Sequence, residues 1–434
     1  MNVEAAVPAR KHPIGLPVLF FTEMWERFGF YCMLSILALY MNESLGFSTK
    51  TVGLIYGAYI ALVYFTPVFG GLVADRWLGF SRSILIGAVF MAGGYFLLAF
   101  PPLPMFFAGL LCIIIGNGMF KPNISTLLGN LYHDVPEKRD AAYNIFYMGI
   151  NIGAFFSPFV AAYMRNTFGW GYAFAAAGVG MIVSFVLFVA LRKYTVEGEN
   201  KAQVSGASGE VVLTKAQERA RITALMLVFG IVIIFWMAFH QNGFTLTFWA
   251  RDATATNLSP ELSQAFNPFF VVAFTPLLVW FWTRLRRRSK EPSTAAKIGI
   301  GMLLTAAAFT IMTGAALSGG DTGRVSIAWL VSAYAVITLG ELCLSPMGLS
   351  LVNKLAPARM RGLLMGGWFA ATAIGNYLSG FVGSFWDDMP HSSFFMILVV
   401  CSVGAAGLLL LVLKRIRPTI REAEQMALSA AKKA

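Results

Sequence analysis

Glu23, Glu26 and Arg27 are spaced i, i+3 and i+4, so in a helix all three project from one face. The residues around them are largely apolar, from Ile14 through Leu39. Three further stretches place polar chemistry inside apolar runs. Lys121 stands in Gly116-Asn117-Gly118-Met119-Phe120-Lys121-Pro122-Asn123, Glu341 in Leu339-Gly340-Glu341-Leu342-Cys343-Leu344-Ser345-Pro346, and His240 beside Gln241. An acid that loses solvent, or meets a base, changes its readiness to hold a proton as its surroundings change. Three acids and two bases in such a setting can therefore take up and release protons as the chain moves. A static ion pair is the alternative, but burying one costs desolvation that its Coulomb energy does not reliably return.

The elements that carry these residues are membrane helices. The 434 residues are 57% hydrophobic and 12% charged, with a mean hydropathy of +0.68. Apolar runs near the roughly 20 residues needed to span a bilayer recur along the chain, and the ten-residue alternation of an outer-membrane barrel is absent. Backbone groups in lipid must pair within their own segment, which makes the spans helical. The spacing predicts twelve, at 16–41, 52–74, 82–100, 103–128, 141–163, 168–192, 221–249, 265–284, 295–318, 325–350, 361–385 and 392–414. The gap at Pro101–Pro104 is the shortest break.

Lys and Arg orient the spans. With both termini cytoplasmic, Lys50, Arg165, Arg251 and Arg324 are the basic residues left outside, and the cluster from Arg284 to Lys290 lies inside. The net charge of +12 then reports topology and a lipid-bilayer partner, and no nucleic-acid partner is needed to explain it. In this orientation Glu23–Arg27, Lys121 and Glu341 all fall roughly 10–15 Å from the cytoplasmic end at 1.5 Å per residue. One charged layer drawn from both halves is expected, with Lys121 and Glu341 as partners across the centre. Charge at such depth marks function by default.

The polar stretch Lys193–Ala220 divides the spans six and six, as in transporters built from repeated halves. The expected domains are an N-terminal six-helix bundle (1–192), a cytoplasmic linker (193–220), a C-terminal six-helix bundle (221–418) and a cytoplasmic tail (419–434). Gly70 to Arg82, with Asp75, Arg76 and Gly79, resembles the loop motif of the major facilitator superfamily, in which an acid beside bases can hold a neighbouring helix end in one state and release it in another. Cys32, Cys112, Cys343 and Cys401 fall inside spans and read as small apolar residues. No cleavable signal peptide is read before the first span. No Ser/Lys, paired-Asp or His-rich metal constellation stands at span depth, so neither an intramembrane enzyme nor a metal site is expected.

Five segments together resemble the proton-dependent oligopeptide transporter family over nearly all spans. They are Glu23-Met24-Trp25-Glu26-Arg27-Phe28, Phe120-Lys121-Pro122-Asn123-Ile124-Ser125, Phe146 to Phe155, Asn267-Pro268, and Gly340-Glu341-Leu342 with Ser345-Pro346. The resemblance implies an all-α major facilitator fold and proton-coupled import of di- and tripeptides by alternating access. Protons are the coupling ion, no other cofactor is implied, and the chain is expected to act as a monomer in the cell inner membrane. Glu23, Glu26, Glu341 and Lys121 would couple protons. Arg27 and Lys121 would hold the peptide carboxylate and Glu341 its amino group. Asn151 and Asn267 would add hydrogen bonds, with Tyr31, Tyr64, Trp236, His240, Ser345 and Trp368 completing the site. Rival readings are a transporter of the same fold for another small solute, such as nitrate, a peptide-like antibiotic or an amino-acid derivative, or a non-transporting receptor. A retained layer of costly charge argues against the receptor.

Three departures from the family pattern stand out. Phe30 replaces the first of two consecutive tyrosines. Leu34 and His240 occupy the positions of a charged pair common near the outer ends of the first and seventh spans, so both partners are changed together. The linker is too short and polar for the two extra helices that many bacterial relatives insert there.

Overall fold

The computed structural model describes residues 12–135, 138–201, 213–357 and 360–431. The centre of the expected linker and the last residues of the expected tail lie outside these ranges. The first span is α1 (Gly15–Leu39), continued by a π-helical turn at Tyr40–Ser44. The second is α2 (Thr49–Phe65) and α3 (Pro67–Val73), ending in a π-helical turn at Ala74–Leu78. Next come α4 (Phe80–Leu98), α5 (Leu103–Leu131), α6 (Arg139–Phe168) and α7 (Trp170–Leu191). The break at Pro101–Pro104 is therefore real. Gly79 and Gly169, at φ 74° and 103°, make the sharp turns into α4 and α7 that a Cβ would strain.

A short helix α8 (Val196–Lys201) lies within the expected linker. Its Glu199 accepts from Ser81 N at 3.1 Å and from Ser81 Oγ at 2.7 Å. A carboxylate at a helix N-terminus satisfies free N–H groups there, so the linker's start is fastened to α4. The seventh span begins earlier than expected, at α9 (Lys215–Phe239), because Thr214 and Gln217 form a capping box. A 3-10 turn at His240–Gly243 and α10 (Thr245–Asp252) complete it. The remaining spans are α11 (Phe266–Arg287), preceded by a 3-10 turn at Pro260–Ala265, then α12 (Thr294–Gly319), α13 (Ile327–Leu355), α14 (Arg361–Gly383) and α15 (His391–Ala431). Over the expected tail from 419 the helix continues, running through Pro418 to Ala431. A two-residue parallel pairing, Thr254↔Val325 and Ala255↔Ser326, ties two loops of the C-terminal half.

Ten of the twelve spans are long and apolar enough to cross a membrane by length and composition. The other two are α1 and α14. Every 18-residue window of α1 contains Glu23, Glu26 and Arg27, while α14 carries six glycines together with Trp368, Asn376 and Tyr377, which lower its mean hydropathy. Packing repeats between halves. The first span packs on the fifth and sixth (α1 on α6 and α7), as the seventh packs on the eleventh and twelfth (α9 on α14 and α15). The third packs on the fourth and sixth, as the ninth packs on the tenth and twelfth. Between the bundles, α2 meets α14 and α6 meets α11.

The end of the molecule carrying Arg284–Lys290 is called the basic face below. At the opposite face the bundles are latched. Arg165 donates to Glu261 at 2.9 Å and lies 3.4 Å from Glu43. Arg251 reaches Glu43 at 3.3 Å and Asn42 at 2.9 Å, and Asn166 bonds Ser259 at 2.6 Å. Nearby α2 and α14 touch backbone to backbone. A Cβ on Gly380 would stand 2.1 Å from the Gly53 carbonyl oxygen, and one on Gly53 would stand 2.5 Å from that of Gly380. Neither backbone atom can swing aside. Gly380→Leu is expected to force the bundles apart at this face. Pulsed electron paramagnetic resonance between labels at Ser44 and Asp388 reads this as a distance longer by several ångströms, and an unchanged distribution would contradict the close-contact account.

Candidate functional site: a charged cavity between the bundles

The site is built outward from Arg27. Its Nε and Nη2 donate to the two carboxylate oxygens of Glu26, the Nη2 bond at 2.6 Å. Glu23 lies 3.4 Å from Nε. Glu23, Glu26 and Arg27 are 1%, 0% and 2% exposed, so water does not share their charge. The planar guanidinium meets Glu26 in the two-pronged geometry that suits it.

A second partner comes from a proline. Pro67 has no N–H, which frees the carbonyl of Val63 in the turn before it. Asn117 of α5 donates to that carbonyl at 2.9 Å and accepts from Arg27 Nη2 at 3.0 Å. The kink between α2 and α3 thereby supplies the atom that orients Asn117, and Asn117 orients Arg27. Asn117 was missing from the expected site residues, although it lies in the glycine-rich segment that carries Lys121. One turn on, Asn123 donates to the carbonyls of Met119 and Gly70, at 2.6 and 3.3 Å, beside the ladder broken by Pro122. Gly70 and Gly118 permit this approach, since a Cβ on Gly70 would fall 1.9 Å from the Gly118 oxygen.

Beyond Arg27 lies a cavity of about 320 Å³ between the bundles. All eleven residues expected to contact substrate face it: Arg27, Tyr31, Tyr64, Lys121, Asn151, Trp236, His240, Asn267, Glu341, Ser345 and Trp368. Glu23 and Glu26 sit behind Arg27 and are not part of the wall. Tyr56, Tyr147, Asn242, Gln264 and Tyr334 also line it, beyond the sequence-based set. Tyr334 donates to the Asn242 carbonyl at 2.8 Å and Gln264 to that of Ser35 at 3.2 Å.

The two bundles present opposite charges. From the N-terminal bundle comes Lys121, its Nζ 4.7 Å from the centre of the Tyr64 ring, with no ion pair to a carboxylate among the described residues. From the C-terminal bundle comes Glu341, one oxygen of which accepts from Asn267 at 2.9 Å. Asn267 is itself held by Thr338 at 3.1 Å. The expected Lys121–Glu341 pair is thus not formed here: the cavity separates them.

Two of the three departures find physical places in the site. Phe30 is 2% exposed, and the Arg27 guanidinium lies 4.9 Å from its ring centre, so the lost hydroxyl is replaced by a cation–π contact. Leu34 lines the cavity. His240 stacks on Trp236 with centroids 5.5 Å apart and stands edge-on to Tyr64 at 5.9 Å. His240 Nε2 and Trp236 Nε1 are buried without a hydrogen-bond partner among the described residues. In the loop motif Asp75, Arg76 and Arg82 are exposed and unpaired among the described residues.

The sequence pattern of the POT family matches residues 81–212 and 195–398. The chain belongs to the POT family. A relative in this POT family is the peptide transporter YePEPT of Yersinia enterocolitica, 32% identical over 92% of this chain and 94% of the relative. A di-/tripeptide transporter of Lactococcus lactis is 31% identical over 93% and 95%, and dipeptide and tripeptide permease A of Escherichia coli is 31% identical over 86% and 84%. Among solved POT structures, a peptide transporter mutant in complex with alafosfalin superposes with a TM-score of 0.85 at 31% identity, covering 95% of this chain and 97% of that one. A POT family transporter in complex with 5-aminolevulinic acid gives 0.84 at 27% identity, with 93% and 97% covered. The twelve-helix major facilitator fold expected from the sequence is that of these neighbours.

Removing one partner of a buried ion pair strands the other charge at a cost of about 3–5 kcal/mol. Glu26→Ala is therefore expected to lower stability on that scale, read as a falling Tm in detergent. Glu26→Gln, which keeps acceptor and shape, should lose less. Equal Tm for all three proteins would show that Arg27 does not depend on Glu26.

Proposed function

We propose that the protein imports di- and tripeptides together with protons by alternating access. The observation that carries this reading is the cavity's polarity: an ammonium from one bundle faces a carboxylate from the other, and neither is in an ion pair among the described residues. A short peptide is a zwitterion with its charges at opposite ends, and its carboxylate suits Lys121 with the remaining Nη1 of Arg27. Its amino group suits Glu341, held by Asn267. Asn151 offers a further hydrogen bond, Ser345 a hydroxyl, and Tyr31, Tyr64, Trp236, His240 and Trp368 the walls for side chains. A volume of about 320 Å³ falls in the range of small-molecule sites. The peptide-transporter relatives support the same substrate class.

The basic face is cytoplasmic by the positive-inside rule, with both termini there and the chain acting as a monomer in the inner membrane. The latch of Arg165, Arg251, Glu43 and Glu261 then closes the outer side. Peptide and proton enter when that latch is open. Protonation of Glu341 removes the counter-charge for the peptide's amino group, and proton loss inside lets Lys121 and Glu341 meet as the empty halves rock back. Glu23 and Glu26 set the charge against which Arg27 and Lys121 operate. No cofactor beyond the coupling proton takes part. The membrane potential supplies about 2.3 kcal/mol per charge per 100 mV.

Uptake of labelled dialanine into proteoliposomes is expected to rise with an inward proton gradient and to acidify the lumen. Lys121→Ala and Glu341→Ala should each lose the gradient-driven part, by about tenfold or more, as expected when one half of a charge-assisted contact is removed. Coupled uptake that survives both substitutions would refute the proposed roles. Uptake of another solute that excess di- and tripeptides fail to compete would move the substrate class.

A further inference from the structure

Five of the seven residues from Arg284 to Lys290 are cationic. One of them is internally satisfied. Arg286 donates to Glu291 at 2.6 and 3.0 Å, and Glu291 accepts from Lys297 at 2.7 Å. The Arg286 hydrogen bond holds the Glu291 carboxyl at about 2, well below the usual carboxylate range, so this neutralisation persists at any working pH. Lys297 lies 4.6 Å from the Trp282 ring centre, which fixes the turn between α11 and α12. Arg284, Arg287, Arg288 and Lys290 remain exposed, with no carboxylate paired to them among the described residues.

These cations continue an ordered stripe. Leu277, Trp280, Arg284 and Arg287 recur at helical spacing and share one face of α11, with Arg288 at its C-cap. Leu277 and Trp280 are 60% and 62% exposed, and Arg284 stands 5.8 Å from the Trp280 ring centre. Only 17% of the apolar window of this span is buried, the lowest share among the ten apolar spans. At 1.5 Å per residue the step from Leu277 to Arg287 is roughly 15 Å, half of a ~30 Å hydrocarbon core. Aliphatic, aromatic and cationic side chains thus succeed one another in the order of acyl chain, interface and headgroup in one leaflet. A topology signal alone requires the charges but not the stripe. At the start of α9, by contrast, Lys215 and Arg219 alternate with Glu218.

We propose that this face of α11 is a binding site for anionic phospholipid, with Arg287, Arg288 and Lys290 on the phosphate and Trp280 at the acyl–headgroup boundary. Clustered cations just beyond a span attract anionic headgroups. The site lies outside the central cavity and does not depend on the peptide reading.

Native mass spectrometry of delipidated protein titrated with phosphatidylglycerol or phosphatidylcholine tests this. Phosphatidylglycerol is expected to be retained about tenfold better or more, from the attraction of several cations together, and less so as salt is raised. R287Q/R288Q/K290Q should lose the preference, while K215Q/R219Q/K414Q, which removes as many charges elsewhere on the basic face, should keep it. Equal retention of the two lipids, or equal loss in both triple variants, would overturn the proposal. So would displacement of the lipid by inorganic phosphate, which would make this a site for soluble phosphate. The comparison of lipids and the salt series use the unaltered protein, and therefore decide the matter even if a triple variant fails to fold.

Discussion

A guanidinium that is 2% exposed inside a lipid-facing bundle must have its charge and its donors answered by the protein. Much of the N-terminal half follows from that constraint. Glu26 supplies a forked carboxylate and Glu23 a second one. Asn117 occupies another donor, and it can do so because Pro67 leaves a carbonyl that fixes its other end. Phe30 lies against the guanidinium. Small residues at Gly70 and Gly118 let α3 and α5 approach closely enough to bring these groups together. Arg27 is consequently a fixed charge, held from its own bundle, whereas Lys121 lies against an aromatic ring and makes no ion pair with a carboxylate among the described residues.

That difference explains why a cavity with opposite walls can persist. If Lys121 were neutralised within its own bundle, Glu341 across the cavity would have no counterpart to attract, and closing the empty site would bury an unpaired carboxylate. Glu26 forks onto Arg27 and Glu23 lies beside it, and Lys121 is in no ion pair with either among the described residues. The repeated packing of the two halves lets each bundle move as a body, while the latch at the face opposite the basic loops holds one arrangement. One of its cross-bundle pairs, Glu43 with Arg251, is more exposed than the Arg27 cluster, at 30% and 26%, whereas Glu261 is buried beneath Arg165. The Glu43–Arg251 pair is therefore screened by water and costs less to break, as a reversible closure requires.

The sequence made the helical count, the division into halves and the charged layer readable, because lipid allows few alternatives to continuous apolar helices. Much of the cavity wall was readable by periodicity as well. Tyr334 and Thr338 precede Glu341 by seven and three residues, and Ser345 follows by four, so one face of α13 carries them all. Tyr147 stands one turn from Asn151 in the same way. Asn117 was harder to see, since its importance comes from a carbonyl freed by a proline some fifty residues earlier. The latch was also missed: Arg165 and Arg251 were read only as outside charges, because their acidic partners lie on other loops. Helix ends shifted where local chemistry overrode hydropathy, as at the Thr214 capping box, and α15 continues past the point where apolar residues cease.

The outer charged pair expected near Leu34 and His240 is missing on both sides at once, and burial energetics account for that. A single charge left there would face an apolar wall with no partner, which is worse than none. In its place His240 lies flat on Trp236 and edge-on to Tyr64, a contact that holds an aromatic corner of the cavity together. The work of joining the bundles falls to the rim, where Arg165 and Arg251 meet Glu43 and Glu261. Closure is thereby moved away from the ligand-facing wall, so that the charges facing the cavity, Lys121 and Glu341, are free to respond to what occupies it.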